Sequence, residues 1–120
     1  MPVRRQYQPI GNIVTPTGNI LNNNYTNNSG QALLVLVTVE VQTNAAPDSA
    51  YVTALINAVS VGNVGLYGMP AGVYTLRLVI PFIVPVGAIY RVNSFVAGGG
   101  TVILRQWIET TLIAPFSAGF

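Results

Sequence analysis

Apolar and polar residues alternate with a period of two along most of the chain. Between Gln31 and Gln42, Leu33, Val35, Val37, Val39 and Val41 share one face, while Leu34, Leu36, Thr38, Glu40 and Gln42 share the other. Successive strand side chains point to opposite faces, so this pattern predicts a long strand with its odd face buried. Tyr51–Val61 reads as the next strand, with Val52, Ala54, Ile56 and Ala58 on one face. Val73–Val84 places Tyr74, Leu76, Leu78, Ile80, Phe82 and Val84 together, and Ala88–Val96 and Thr101–Leu112 complete the set. Pro81 has no amide hydrogen for a ladder and is expected at an edge or a bulge. The connections carry turn residues: Asn44, Pro47 and Asp48 in Thr43–Ala50, Pro85–Gly87, and Gly98, Gly99 and Gly100, which read as a hairpin turn. Gly62–Gly72 is glycine-rich and is expected to hold a short strand at most. No helical period competes with these strands. Short β-branched strands between turn signals predict an all-β antiparallel sandwich or barrel. The predicted core is Val35, Val37, Val39, Ile56, Leu76, Leu78, Ile80, Val92, Leu104 and Ile108.

The N-terminal region follows a different pattern. It holds Pro2, Pro9 and Pro16, an Asn-rich stretch from Asn19 to Asn28, and only scattered apolar residues. Residues 1–24 are therefore expected to form an extended arm, with short β pieces at Asn12–Val14 and Ile20–Leu21, and residues 25–120 the sandwich domain. Such an arm becomes ordered by lying on a neighbour.

Composition adds an expectation about assembly. Of the 120 residues, 51% are hydrophobic and only 7% charged, against about 25% charged in an ordinary soluble protein. So little charge leaves a monomer poorly protected from association. The apolar excess points to subunit interfaces, with Asn, Thr, Ser and Gln supplying neutral polarity elsewhere. The net charge of +2 comes from scattered arginines, without the clustering a nucleic-acid footprint needs. The apolar stretches are cut by Pro and Gly, so no spanning helix is expected. Arg4 and Arg5 have no apolar run behind them, so no secretion signal is expected either. The tripeptides Asn24-Tyr25-Thr26 and Asn27-Asn28-Ser29 accordingly read as turn residues instead of glycosylation acceptors.

Three segments together resemble a known domain. Tyr25-Thr26-Asn27-Asn28-Ser29-Gly30 leads into an apolar strand. Pro81-Phe82-Ile83-Val84-Pro85-Val86-Gly87-Ala88-Ile89-Tyr90-Arg91-Val92 follows later, and then Trp107-Ile108-Glu109 after a glycine turn. This order is similar to a small jelly-roll-like domain of tailed-bacteriophage head decoration, head fibre and tail fibre proteins. Val86 departs from the pattern, which has Pro there. The resemblance implies a jelly-roll-like sandwich and a non-enzymatic role in a virus particle. In fibres such a domain ends a long polypeptide. Here it fills nearly all of the sequence, which shifts the expectation toward a free-standing particle component with the arm as its attachment.

Candidate chemistry is sparse. With no Cys and no His, thiolate sites, disulfides and the commonest general base are absent. Glu40, Asp48 and Glu109 are the only carboxylates, and their spacing suggests neither a paired acid and base nor a metal site. No catalytic residue, metal ligand or cofactor is expected. Gly98-Gly99-Gly100 lacks the Lys-Ser/Thr that a phosphate loop requires. Trp107, between Arg105 and Glu109, has two readings: a surface platform for sugars, or a packing and subunit contact. Arg77, Arg91 and Arg105 lie opposite the apolar faces of their strands. They either provide solubility or pair across strands with Glu40 and Glu109. Partner-binding candidates are Arg4, Arg5 and Tyr7 in the arm, and Arg105 and Trp107 in the last strand.

The expected function is that of a capsid decoration, or cement, protein that binds the major capsid protein or another virion protein as a homotrimer. It would be made in the host cytoplasm and sit on the particle surface, without nucleic acid or membrane as a partner. The alternative is a fibre tip or receptor-binding module that recognises host glycans through loop residues such as Tyr67 together with Trp107.

Overall fold

The computed structural model describes residues 14–44 and 47–112. Eight strands lie in this region: β1 (Val14–Pro16), β2 (Tyr25–Thr26), β3 (Ala32–Thr43), β4 (Asp48–Ile56), β5 (Val59–Met69), β6 (Tyr74–Val84), β7 (Ile89–Ala97) and β8 (Thr101–Leu112). They pair antiparallel in two sheets with orders β1-β8-β3-β6 and β2-β7-β4-β5. Apart from the β4–β5 hairpin, every connection crosses from one sheet to the other. Two four-stranded antiparallel sheets wound in this order form the jelly-roll version of the β-sandwich.

The period-two pattern predicts the inner faces well where it is strongest. Val35, Val37, Val39 and Val41 of β3 are completely buried, as are Ala50, Val52 and Ala54 of β4, and Ile80, Phe82 and Val84 of β6 are buried beside them. Ile56, Leu78 and Leu104 pack half-buried against this core. Leu76 shares the inner face of β6 but is 45% exposed. Its strand lies at the edge of the sheet and is covered from one side only.

Ile108 departs further, because it faces outward. The register between β3 and β8 shifts after Thr38: Thr38 lies opposite Gln106, whereas Val39 lies opposite Leu104. Arg105 is the extra residue of a β-bulge, which reverses the alternation on either side of it. Val102 and Leu104 point inward before the bulge, and Trp107 and Glu109 after it. Trp107 is 2% exposed and belongs to the core. A surface platform at Trp107 is thereby excluded.

The glycine-rich segment also differs from expectation. β5 runs through Gly62, Gly65 and Gly68 as a full strand of 11 residues. The hairpin that starts it turns at Asn57 and Ala58, both with positive φ, the conformation of a tight two-residue hairpin turn. No glycine marks that turn, so the sequence reads through it as one strand. Gly65 faces Tyr51 in register, and a Cβ there would come within 2.3 Å of Tyr51 Cβ. The glycine lets two strands carry a tyrosine where two side chains would collide. Gly98-Gly99-Gly100 connects β7 to β8 in the other sheet, so it is a crossover instead of a hairpin turn. A Cβ on Gly98 would lie 2.0 Å from Asp48 Oδ1.

The expected boundary at residue 24 falls inside the sandwich. Val14–Pro16 pair with Ile108–Thr110, and the Asn22 side chain accepts from the Ser94 amide at 2.9 Å. Residues 14–24 thus close one flank of both sheets, with no strand at Ile20–Leu21. The expected β piece at Asn12–Val14 falls mostly outside the described residues.

Candidate functional site

Two polar residues, Asn27 and Asp48, are buried and a third, Glu109, is half-buried, and each holds separate parts of the chain together. Asn27, 1% exposed, donates from Nδ2 to the carbonyl oxygens of Gln31 (2.7 Å), Val84 and Pro85 (both 3.1 Å). Its Oδ1 accepts from the Ser29 amide and hydroxyl. One side chain thereby ties the β2–β3 loop to the β6–β7 turn. Asp48, 2% exposed, accepts the Asn44 amide at 2.8 Å and the Gly99 amide at 2.9 Å, joining two loops at one end of the sandwich. Glu109 Oε2 accepts from Asn19 Nδ2 (3.1 Å), the Tyr90 hydroxyl (2.5 Å) and Trp107 Nε1 (3.0 Å). Burial first, and the bond to Glu109 second, push the Tyr90 hydroxyl well above its ordinary value.

These residues meet the aromatic part of the core. Tyr25 sits 5.7 Å from Trp107 and 6.0 Å from Tyr90 between ring centres, and Phe82 packs 6.4 Å from Tyr90. The residues that carry the motif-like segments therefore converge on one node, where they pack and hydrogen-bond with one another.

The three carboxylates are separated. Glu40 is on the outer face of its sheet, Glu109 on the inner face of the same sheet, and Asp48 at the end of the sandwich. Glu40 lies opposite Arg77 in register. Its Oε1 accepts from Arg77 at 3.0 Å and from Arg105 at 3.1 Å. Of the cross-strand pairings considered for the arginines, these two form. Arg91 instead binds two amides, Asn93 Oδ1 through Nε and Asn24 Oδ1 through Nη1 at 3.4 Å. The two guanidiniums hold the Glu40 carboxyl below the usual carboxylate range. Among the described residues no two carboxylates face one point. No cluster of three metal-ligating side chains occurs among the described residues.

Exposed apolar and aromatic side chains lie on the outer faces of both sheets. On the β6–β3–β8 side, rows in register place Ile83 beside Leu34 and Thr110, and Pro81 beside Leu36 and Ile108, with Val79 beside Thr38. Val79, Ile83 and Ile103 are exposed, and Leu34, Leu36 and Ile108 half-exposed. The ion-paired group Glu40, Arg77 and Arg105 borders this apolar area. Two adjacent rows, Ile83–Leu34 and Pro81–Leu36–Ile108, set five apolar side chains side by side on the outer face of the sheet, more than the scattered exposure of an ordinary surface.

The opposite outer face is aromatic and amide-rich. Tyr67, Tyr51 and Phe95 form a ladder across three strands, with ring centres 4.7 and 4.9 Å apart. The Tyr67 hydroxyl donates to Asn63 at 2.9 Å. Further along the same face, a cleft of about 580 Å³ opens among Asn24, Leu55, Asn57, Ile89, Arg91 and Asn93.

Of the residues singled out in the sequence for partner binding, Arg105 is exposed at its bulge and engaged with Glu40, and Trp107 is internal. Arg4, Arg5 and Tyr7 lie outside the described residues. Tyr51 and Phe95 were missed, although each sits at the outward phase of its own strand. No protein-family model matches the chain, and no curated protein matches it.

Proposed function

We propose that the chain is a non-enzymatic structural protein of a tailed-bacteriophage particle, a capsid decoration protein that works as a trimer on the particle surface. The observation that carries this reading is the apolar outer face around Leu34, Leu36, Pro81, Ile83 and Ile108. A chain with eight formal charges that leaves such a face open gains most by covering it with protein. The strand order supports the same reading, because the two-sheet jelly roll is a recurrent architecture of capsid proteins. The motif-like segments from Tyr25 to Glu109 supply the link to phage particles. The major capsid protein, or another virion protein, is the proposed partner.

The alternative, a fibre tip that recognises host glycans, draws support from the exposed Tyr67–Tyr51–Phe95 ladder. Copy number separates the two. Gel-band quantification of purified particles is expected to give hundreds of copies for a decoration protein; a few to dozens would identify a fibre component. Light scattering at micromolar concentration is expected to show an oligomer, and a stable monomer would overturn the trimeric reading.

A further inference from the structure

The cleft beside β7 differs from the rest of the surface in what its polar groups have left to offer. Asn93 Oδ1 and Asn24 Oδ1 both accept from Arg91. Asn57 Oδ1 accepts the Ile89 amide at 3.0 Å, while the Ile89 carbonyl takes the Asn57 amide at 2.7 Å. The acceptors of this lining are thus turned to the protein. The amide NH2 groups of Asn24, Asn57 and Asn93, Arg91 Nη2 and the second hydrogen of Arg91 Nη1 remain for a ligand.

Charge points the same way. Arg77 and Arg105 share Glu40, Asp48 holds loop amides, and Glu109 is engaged between the sheets. Among the described residues no carboxylate reaches Arg91, so its charge is held in place by two neutral amides and left uncompensated. A guanidinium fixed in this way is suited to a carboxylate, because its donors form a planar fork and little further ordering is needed. Leu55, the direct cross-strand neighbour of Arg91, and Ile89 add apolar surface on either side. The volume of about 580 Å³ falls in the range of small-molecule sites.

We infer that this cleft binds an acidic saccharide. The sugar carboxylate meets Arg91, its hydroxyl oxygens accept from the three asparagine amides, and the C–H face of the ring lies on Leu55 and Ile89. This site is on the other sheet from the apolar face, so it stands whether or not the chain decorates a capsid.

The test is calorimetric or NMR titration of the full chain with four probes: glucuronate, glucose, acetate and inorganic phosphate. Glucuronate is expected to bind, with glucose, acetate and phosphate each about tenfold weaker or worse, since one charge-assisted pair and the ring contacts each carry that much. Arg91→Gln is expected to lose at least about tenfold. Leu55→Glu provides a second variant, because it puts a carboxylate opposite Arg91 in register. That carboxylate occupies the guanidinium internally, so binding is lost while circular dichroism stays that of the parent. Acetate or phosphate binding as well as glucuronate would reduce the site to an anion contact and overturn the inference. So would glucose binding equally well, absence of glucuronate binding, or unchanged binding in Arg91→Gln.

Discussion

The Tyr90 hydroxyl donates to Glu109 Oε2 over 2.5 Å and so links the two sheets through the interior. Tyr90 belongs to β7 and Glu109 to β8, which lie in different sheets. The same oxygen takes the Trp107 indole N–H, so a single carboxylate satisfies two buried aromatic donors. Removing one donor leaves a charged acceptor less well solvated in a confined space.

Tyr90→Phe is therefore expected to cost about 1–3 kcal/mol at neutral pH. It is also expected to flatten the alkaline limb of stability. The hydroxyl's folded-state value lies above its ordinary 10.0. Its contribution is then fully present below about pH 10 and is lost as pH rises through the folded value. Thermal melts from pH 7 to 11 check both effects. A parent protein no more alkali-sensitive than Tyr90→Phe would contradict the assignment.

Deleting Arg105 tests the bulge. Without the extra residue, strict alternation returns along β8. Either Trp107 and Glu109 turn outward, or Val102 and Leu104 do. The deletion is expected to abolish the fold by circular dichroism, whereas Arg105→Ala retains it. For comparison, Trp107→Ala is expected to cost about 3–5 kcal/mol as a core truncation.

Glu40 provides a test at acid pH. Its carboxyl is held low chiefly by hydrogen bonds from Arg77 and then Arg105. A lowered folded-state value contributes stability that is present above the ordinary carboxylate value of 4.5 and lost as pH falls through the folded value. Because the group is exposed, the effect is small and screened. Glu40→Gln is expected to melt slightly below the parent at pH 7 in low salt, with the gap closing at pH 3 and in about 1 M salt. A gap that persists under both conditions would mean the pair is not the cause.

The apolar outer face gives a test of assembly. Ile83→Glu and Leu36→Glu place a charge in the middle of the rows on the β6–β3–β8 side. Both side chains point away from the core, so monomer folding is expected to survive. Light scattering is expected to show dissociation to smaller species with unchanged circular dichroism. Intact oligomers in both variants would locate the subunit contact elsewhere.

A deletion of residues 2–24 bears on the N-terminal region. As an arm lying outside the domain, it would leave stability unchanged. The pairing of β1 with β8 and the bonds from Asn19 and Asn22 instead lead to a lowered melting temperature.

The alternation in β3, β4 and β6 was enough to determine that these segments are strands and which face of each is buried. Period two is a local property, and burial on one side of a pleated sheet selects it directly. Turn chemistry marked Pro85–Gly87 for the same reason. The bulge at Arg105 was not legible. An extra residue is defined only against the partner strand, so β8 read alone assigns Trp107 to the wrong face. The Asn57–Ala58 turn escaped because neither residue is the glycine such a turn favours, and its form is imposed by β4 and β5 pairing around it. Glu109, Asn27 and Asp48 looked like surface residues because the bonds that hold a polar group within the fold depend on partners distant in sequence: Tyr90, Val84 and Gly99. The cleft at Arg91 belongs to the same class. Its lining comes from β7, from the β4–β5 hairpin and from the segment before β2. Only the pairing of those elements brings three amides, an arginine and a leucine together.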